Sequence, residues 1–141
     1  MQFRKGDEWD FGTVSFSEEE IIDFAKKYDP LDFHIDREAA QKSVFKGFVA
    51  SGPHAFHHYY ISQWVPLFGK TVIAGLGISE WKFLKPVYPN QKVYCRVTIT
   101  DVEEFAEKKS AAVEWRFEFK NESGELFQHV NMKVLHKLIQ S

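Results

Sequence analysis

The second half of the chain alternates between apolar and polar residues, and few architectures can use that pattern. Val93, Cys95, Val97 and Ile99 are interleaved with Tyr94, Arg96, Thr98 and Thr100. Val113, Trp115, Phe117 and Phe119 are interleaved with Glu114, Arg116, Glu118 and Lys120. A third run, Leu126 to Leu135, alternates through Val130, Met132 and Val134, after a hairpin loop at Asn121-Glu122-Ser123-Gly124. Successive side chains of a strand point to opposite faces, so this period specifies antiparallel strands with one face buried and the other wet. The buried face needs an apolar partner.

The first half supplies one. Gly52-Pro53 opens a helix, with proline at the first helical position, where its missing N–H costs nothing. From His54 to about Trp64 the residues are apolar around much of the helix circumference, which predicts burial on several sides. Val72 to Phe83 adds a strand interrupted by Gly75 and Gly77, followed by a loop at Lys85 to Asn90. Trp9 to Phe16, aromatic and β-branched, reads as an opening strand. The expected class is α+β, one antiparallel sheet curled around one apolar helix.

Length and charge narrow the function. At 141 residues the chain suits one domain, residues 1–141. A formal charge of −2 gives no electrostatic case for nucleic acid, and no apolar run is long enough to span a membrane. The N-terminal Met1 to Glu8 carries no apolar leader, and Cys95, the single cysteine, reads as a buried apolar residue. A cytoplasmic, reducing setting is expected. Fourteen Phe, five Tyr and four Trp provide a large core and, in addition, a sticky surface or an apolar ligand slot.

Chemistry concentrates between the first helix and the apolar one. Ser17-Glu18-Glu19-Glu20 is a capping box, and Ile21, Phe24, Ala25 and Tyr28 follow on one face. Pro30 ends that helix by forcing Asp29 out of the α region. His34 stands five residues after Asp29, and Asp36 caps a short helix from Arg37 to about Ser43. Phe45 to Ala50 is a loop rich in apolar side chains that predicts inward packing, and Gly52 then presents a backbone N–H at a helix start. A carboxylate, an imidazole and such a donor form the minimum set for proton transfer beside a carbonyl.

In order and spacing, four segments resemble the MaoC-type dehydratases, the (R)-specific enoyl-CoA hydratase branch of the hotdog superfamily. They are Phe16-Ser17-Glu18-Glu19-Glu20-Ile21, Tyr28-Asp29-Pro30 with Phe33-His34-Ile35-Asp36, Ala50-Ser51-Gly52-Pro53-His54, and Trp81 to Val87 with Pro89-Asn90. The resemblance implies a hotdog fold, a five-stranded antiparallel sheet wrapped around a central helix, with two subunits joining their sheets in a homodimer that can pair further. It implies reversible hydration of a trans-2-enoyl thioester to an (R)-3-hydroxyacyl thioester. No metal or redox cofactor is expected, coenzyme A or an acyl carrier being part of the substrate.

By the same resemblance Asp29 and His34 form the catalytic dyad, and the Gly52 N–H binds the thioester oxygen. Ser51, Pro53, His57, Phe33 and Lys85 are expected around the substrate, with Lys82 and Lys85 either toward the coenzyme phosphates or simply surface charge. The expected chemistry is one water shared by the pair, the carboxylate orienting it and taking its proton while His34 holds it from the other side. The chain departs from the family pattern at Leu31 and Asp32 within the dyad segment. Ser51 stands where a histidine often precedes the glycine, and His57 where a serine is common. Two other readings stay open: a hotdog thioesterase, although the central helix offers no carboxylate, and a non-catalytic acyl-binding subunit. His54 and His58 share a helix face at a spacing zinc sites use, but no Glu or Cys supports them, and no metal is expected.

Overall fold

The computed structural model describes residues 2–139, so Met1, Gln140 and Ser141 of the expected domain 1–141 lie outside the described residues. Strand β1 (Glu8–Ser15) runs into helix α1 (Glu18–Tyr28) through the capping box. The Ser17 hydroxyl accepts the Glu20 N–H at 3.1 Å, and the Glu20 carboxylate accepts the Ser17 N–H at 2.9 Å. Two short helices follow, α2 (Asp32–Ile35) and α3 (Arg37–Lys42), the second capped by the Asp36 carboxylate on the Glu38 N–H. The sequence pattern did not predict α2, a single turn too short to show a period. Tyr28 also departs from expectation: it ends α1 exposed, its ring lying over Phe24 and His57.

The central helix begins as α4 (Pro53–Tyr59), widens into a π turn over Tyr60–Trp64, and continues as α5 (Val65–Phe68). It therefore runs four residues beyond the predicted end. Around it lie β2 (Val72–Phe83), β3 (Lys92–Phe105), β4 (Ser110–Lys120) and β5 (Leu126–Lys137). All five strands pair antiparallel in the order β1-β3-β4-β5-β2. This is the hotdog arrangement.

The alternating rows meet the helix as their period requires. Phe56 stands edge-on to Phe117 at 4.9 Å between ring centroids, and Trp64 edge-on to Trp115 at 5.5 Å. The Tyr59 hydroxyl donates to the Val93 carbonyl at 2.6 Å, tying the helix to β3. Cys95 is buried in the same layer, and burial pushes its thiol pKa up, which suits packing rather than reactivity. Each such ring removes enough apolar surface from water to stabilise the fold by roughly 2–3 kcal/mol.

His136 is a polar member of this layer and is fully buried. The Trp115 indole N–H donates to its Nε2 at 3.1 Å, leaving Nδ1–H to donate to the Thr71 hydroxyl at 2.8 Å. Desolvation pushes its pKa down to about 4, so the ring is neutral in the fold.

One side of the molecule is not covered. Ile61, Val65 and Leu67 of the central helix are exposed, and so are Val72, Ile73, Leu76 and Ile78 of β2, the edge strand beside them. Among the described residues no helix is long and apolar enough to cross a membrane.

Candidate active site

The exit of α1 sets the first functional side chain. The Asp29 N–H still closes the helix on the Ala25 carbonyl at 2.8 Å, but its backbone has left the helical region at φ −160°, ψ 69°. The turn of α2 then carries His34 back toward Asp29. His34 is buried while Asp29 stays partly open, and Nε2 lies 3.5 Å from Asp29 Oδ2.

A strap just before the central helix holds both residues. The Val49 carbonyl lies 2.7 Å from His34 Nδ1. A carbonyl only accepts, so Nδ1 carries a proton, and Nε2 is the ring nitrogen turned toward Asp29. Ala50 fixes the strap by donating its N–H to the Val87 carbonyl at 2.8 Å. The Ser51 hydroxyl donates to Asp29 Oδ2 at 2.7 Å. Phe33 packs against the imidazole with ring centroids 4.3 Å apart, and against Phe45. The carboxylate oxygen and the second ring nitrogen thus face each other beside the strap.

Both open onto a cavity of about 600 Å³. Gly52, Pro53, Phe33 and Lys85 line it, as do Trp81, Phe83 and Gln128. Among the described residues no acceptor pairs with the Gly52 N–H. Gly52 is itself helical at φ −49°, ψ −49°, so glycine is not required there for its backbone freedom. What glycine spares is space: a Cβ would lie 2.6 and 2.8 Å from two carbons of the Phe83 ring, which would have to move.

Other sequence expectations are redistributed. Ser51 is buried and absent from the cavity wall, and its hydroxyl donates to the Asp29 carboxylate. His57 turns away from the cavity toward Phe24 and Tyr28 on α1. The Lys85 ammonium lies 3.0 Å from Glu125 at the exposed rim, and holds that carboxyl below its usual range. His54 is stacked between Phe16 and Phe24 at 4.0 and 4.2 Å, and desolvation pushes its pKa down to about 4. Among the described residues no three His, Cys, Asp or Glu side chains gather as a metal site. Two features lay beyond the sequence expectations, the Phe83 ring over Gly52 and Gln128 in the cavity wall. The second had a signal: Gln128 stands two residues before Val130, on the inward parity of an apolar row.

A five-stranded antiparallel sheet wrapped on one helix defines a hotdog protein, and here an acid and an imidazole open onto a cavity beside that helix. Residues 2–118 match the family model described as MaoC like domain, and the chain belongs to that family. It is 30% identical over 102 residues to the uncharacterized protein YdeM of Bacillus subtilis, covering 71% of this chain and 72% of that one. The crystal structure of the MaoC-like dehydratase from Rhodospirillum rubrum is similar at a TM-score of 0.85 and 25% identity, over 99% of this chain and 97% of that one. The (R)-hydratase from A. caviae involved in PHA biosynthesis shares the fold at a TM-score of 0.72 and 20% identity, over 99% of both chains.

Proposed function

We propose that this protein catalyses the reversible hydration of a trans-2-enoyl thioester to a 3-hydroxyacyl thioester, with Asp29 and His34 as its acid–base pair. The observation that carries the reading is the facing pair of His34 Nε2 and Asp29 Oδ2, 3.5 Å apart at the wall of the cavity. A water that donates one O–H to each would be held with its own lone pair turned to the cavity. Imidazole is by nature the stronger base of the two, so Nε2 takes the proton as the water oxygen bonds to C3. This differs from the sequence expectation, in which the carboxylate took it. The Ser51 hydrogen bond supports the change, because it occupies one lone pair of Oδ2 and leaves Asp29 to orient the water and to face the imidazolium that forms.

The electron pair of the double bond moves toward the thioester carbonyl. The Gly52 N–H is the donor for the charge that develops on that oxygen. C2 then takes the proton from Nε2, which returns the pair to its starting state and balances the addition of one water. No metal is needed in this sequence of steps.

The uncovered side supports a homodimer. An edge strand of twelve residues with Ile73, Leu76 and Ile78 exposed presents unpaired backbone groups and apolar side chains together, a combination a lone subunit would leave open to uncontrolled pairing. A second copy pairing along β2 would extend the sheet and cover Ile61 and Val65.

Incubation with crotonyl-CoA tests the reading. Loss of the conjugated enoyl absorbance without release of free thiol is the expected result. Thiol release would identify a thioesterase, and neither change would identify a binding protein.

A further inference from the structure

Gln128 occupies an inward position of β5 and is 3% exposed. The inward positions that follow, Val130, Met132 and Val134, are apolar. The remaining polar residue of the row, His136, has both ring nitrogens hydrogen-bonded. Gln128 differs, because only its carbonyl end is bonded. The Trp81 indole N–H donates to Gln128 Oε1 at 3.3 Å. An indole N–H can only donate, so the amide is held with its oxygen toward Trp81 and its NH2 turned away.

Trp81 is itself fixed, its ring lying 5.4 Å from Phe56 and 5.5 Å from Phe83. Among the described residues no acceptor pairs with Gln128 Nε2, and it is not one of the buried unpartnered atoms, unlike the Trp64 indole nitrogen. The amide N–H groups therefore open onto the cavity that Gln128, Asp29 and His34 line together. Gln128 is also paired across the sheet with Phe83, the residue whose ring covers Gly52. An oriented donor that looks into an otherwise apolar stretch of wall is a recognition group for an acceptor.

We propose that Gln128 is a substrate-binding residue that donates a hydrogen bond to an oxygen of the bound acyl thioester. The identity of the ligand rests on the hydratase reading. The acceptor has two sources, the thioester carbonyl and an oxygen carried on the acyl group itself. A carbonyl acceptor would make Gln128 a partner of Gly52 for every substrate. An acyl oxygen would make it a selector of oxygen-bearing acyl groups.

Binding of two unreactive ligands, butyryl-CoA and 4-hydroxybutyryl-CoA, to the wild type, Gln128→Leu and Gln128→Glu separates these cases by calorimetry. Glutamate keeps an acceptor for Trp81 while removing the donors, and so preserves the wall if leucine disturbs folding. Both variants are expected to lose roughly tenfold in affinity. The loss falls on both ligands if the carbonyl is the acceptor, and on 4-hydroxybutyryl-CoA alone if the acyl oxygen is. Wild-type affinity for both ligands in a folded variant overturns the proposal, as does a wild type that binds neither. A wild type that binds butyryl-CoA but does not hydrate crotonyl-CoA removes the hydratase reading and leaves the role of Gln128 to the binding comparison.

Discussion

The Ser51 hydroxyl and the Asp29 carboxylate are joined by a 2.7 Å hydrogen bond, on the same oxygen that faces His34. With the Val49 carbonyl on His34 Nδ1, this makes three consecutive strap residues responsible for the geometry of the pair. Ser51→Ala removes a hydrogen bond to a charged group, a contact typically contributing about 1.5–3 kcal/mol. The expected result is a fall in kcat of roughly tenfold to a hundredfold, with KM nearly constant, since Ser51 does not line the cavity. Steady-state kinetics on crotonyl-CoA check this, and an unchanged kcat would remove Ser51 from the machinery.

Gly52→Ala puts a methyl group against the Phe83 ring. The backbone there is already helical and Phe83 is more than half exposed, so the ring can swing aside and the fold survives. Thermal unfolding should shift by only a few degrees, an effect on the order of 1 kcal/mol. Turnover should fall much further, because the displaced ring alters the cavity wall beside the Gly52 N–H, the proposed donor to the thioester oxygen. Comparison of the melting temperature with kcat/KM distinguishes these effects, and parallel losses in both would point to plain misfolding.

Much of this was readable beforehand, and the reasons are local. The capping box, the stop at Pro30 and the start at Gly52-Pro53 each depend on residues within about four positions, where backbone stereochemistry dominates. The strand rows depend only on period. Ser51 and Gln128 were not readable in their roles because their partners, Asp29 and Trp81, lie 22 and 47 residues away. The packing of His57 was not readable for a related reason: helical spacing gives the face of a residue, but not which neighbour that face meets. Here it meets Phe24 and Tyr28.

Acid should weaken the fold through two buried histidines. His54 and His136 are held near pKa 4 in the fold, against 6.5 as the ordinary value. The unfolded chain therefore takes up protons first as pH falls. Their contribution is full above about pH 6.5 and is lost progressively down to about pH 4, by at most on the order of 3 kcal/mol for each ring. His136→Asn keeps an acceptor for Trp115 without that titration. Melting temperatures measured from pH 7 to pH 4 should fall steeply for the wild type and less steeply for this variant. Equal slopes would contradict the assignment for His136.

The open edge of β2 predicts association. Ile73→Lys places a charge on an exposed strand position without touching the core. Sedimentation velocity should find the wild type as a dimer and the variant shifted to monomer at micromolar concentration. A monomeric wild type would contradict the pairing along β2.

The acid–base pair is tested most directly by the initial rate of crotonyl-CoA hydration in Asp29→Asn and His34→Ala, each first shown to be folded by its melting curve. His34→Ala removes the proposed base and Asp29→Asn the negative charge beside it, and each rate should fall by about a hundredfold or more. Wild-type turnover in either variant would contradict the account.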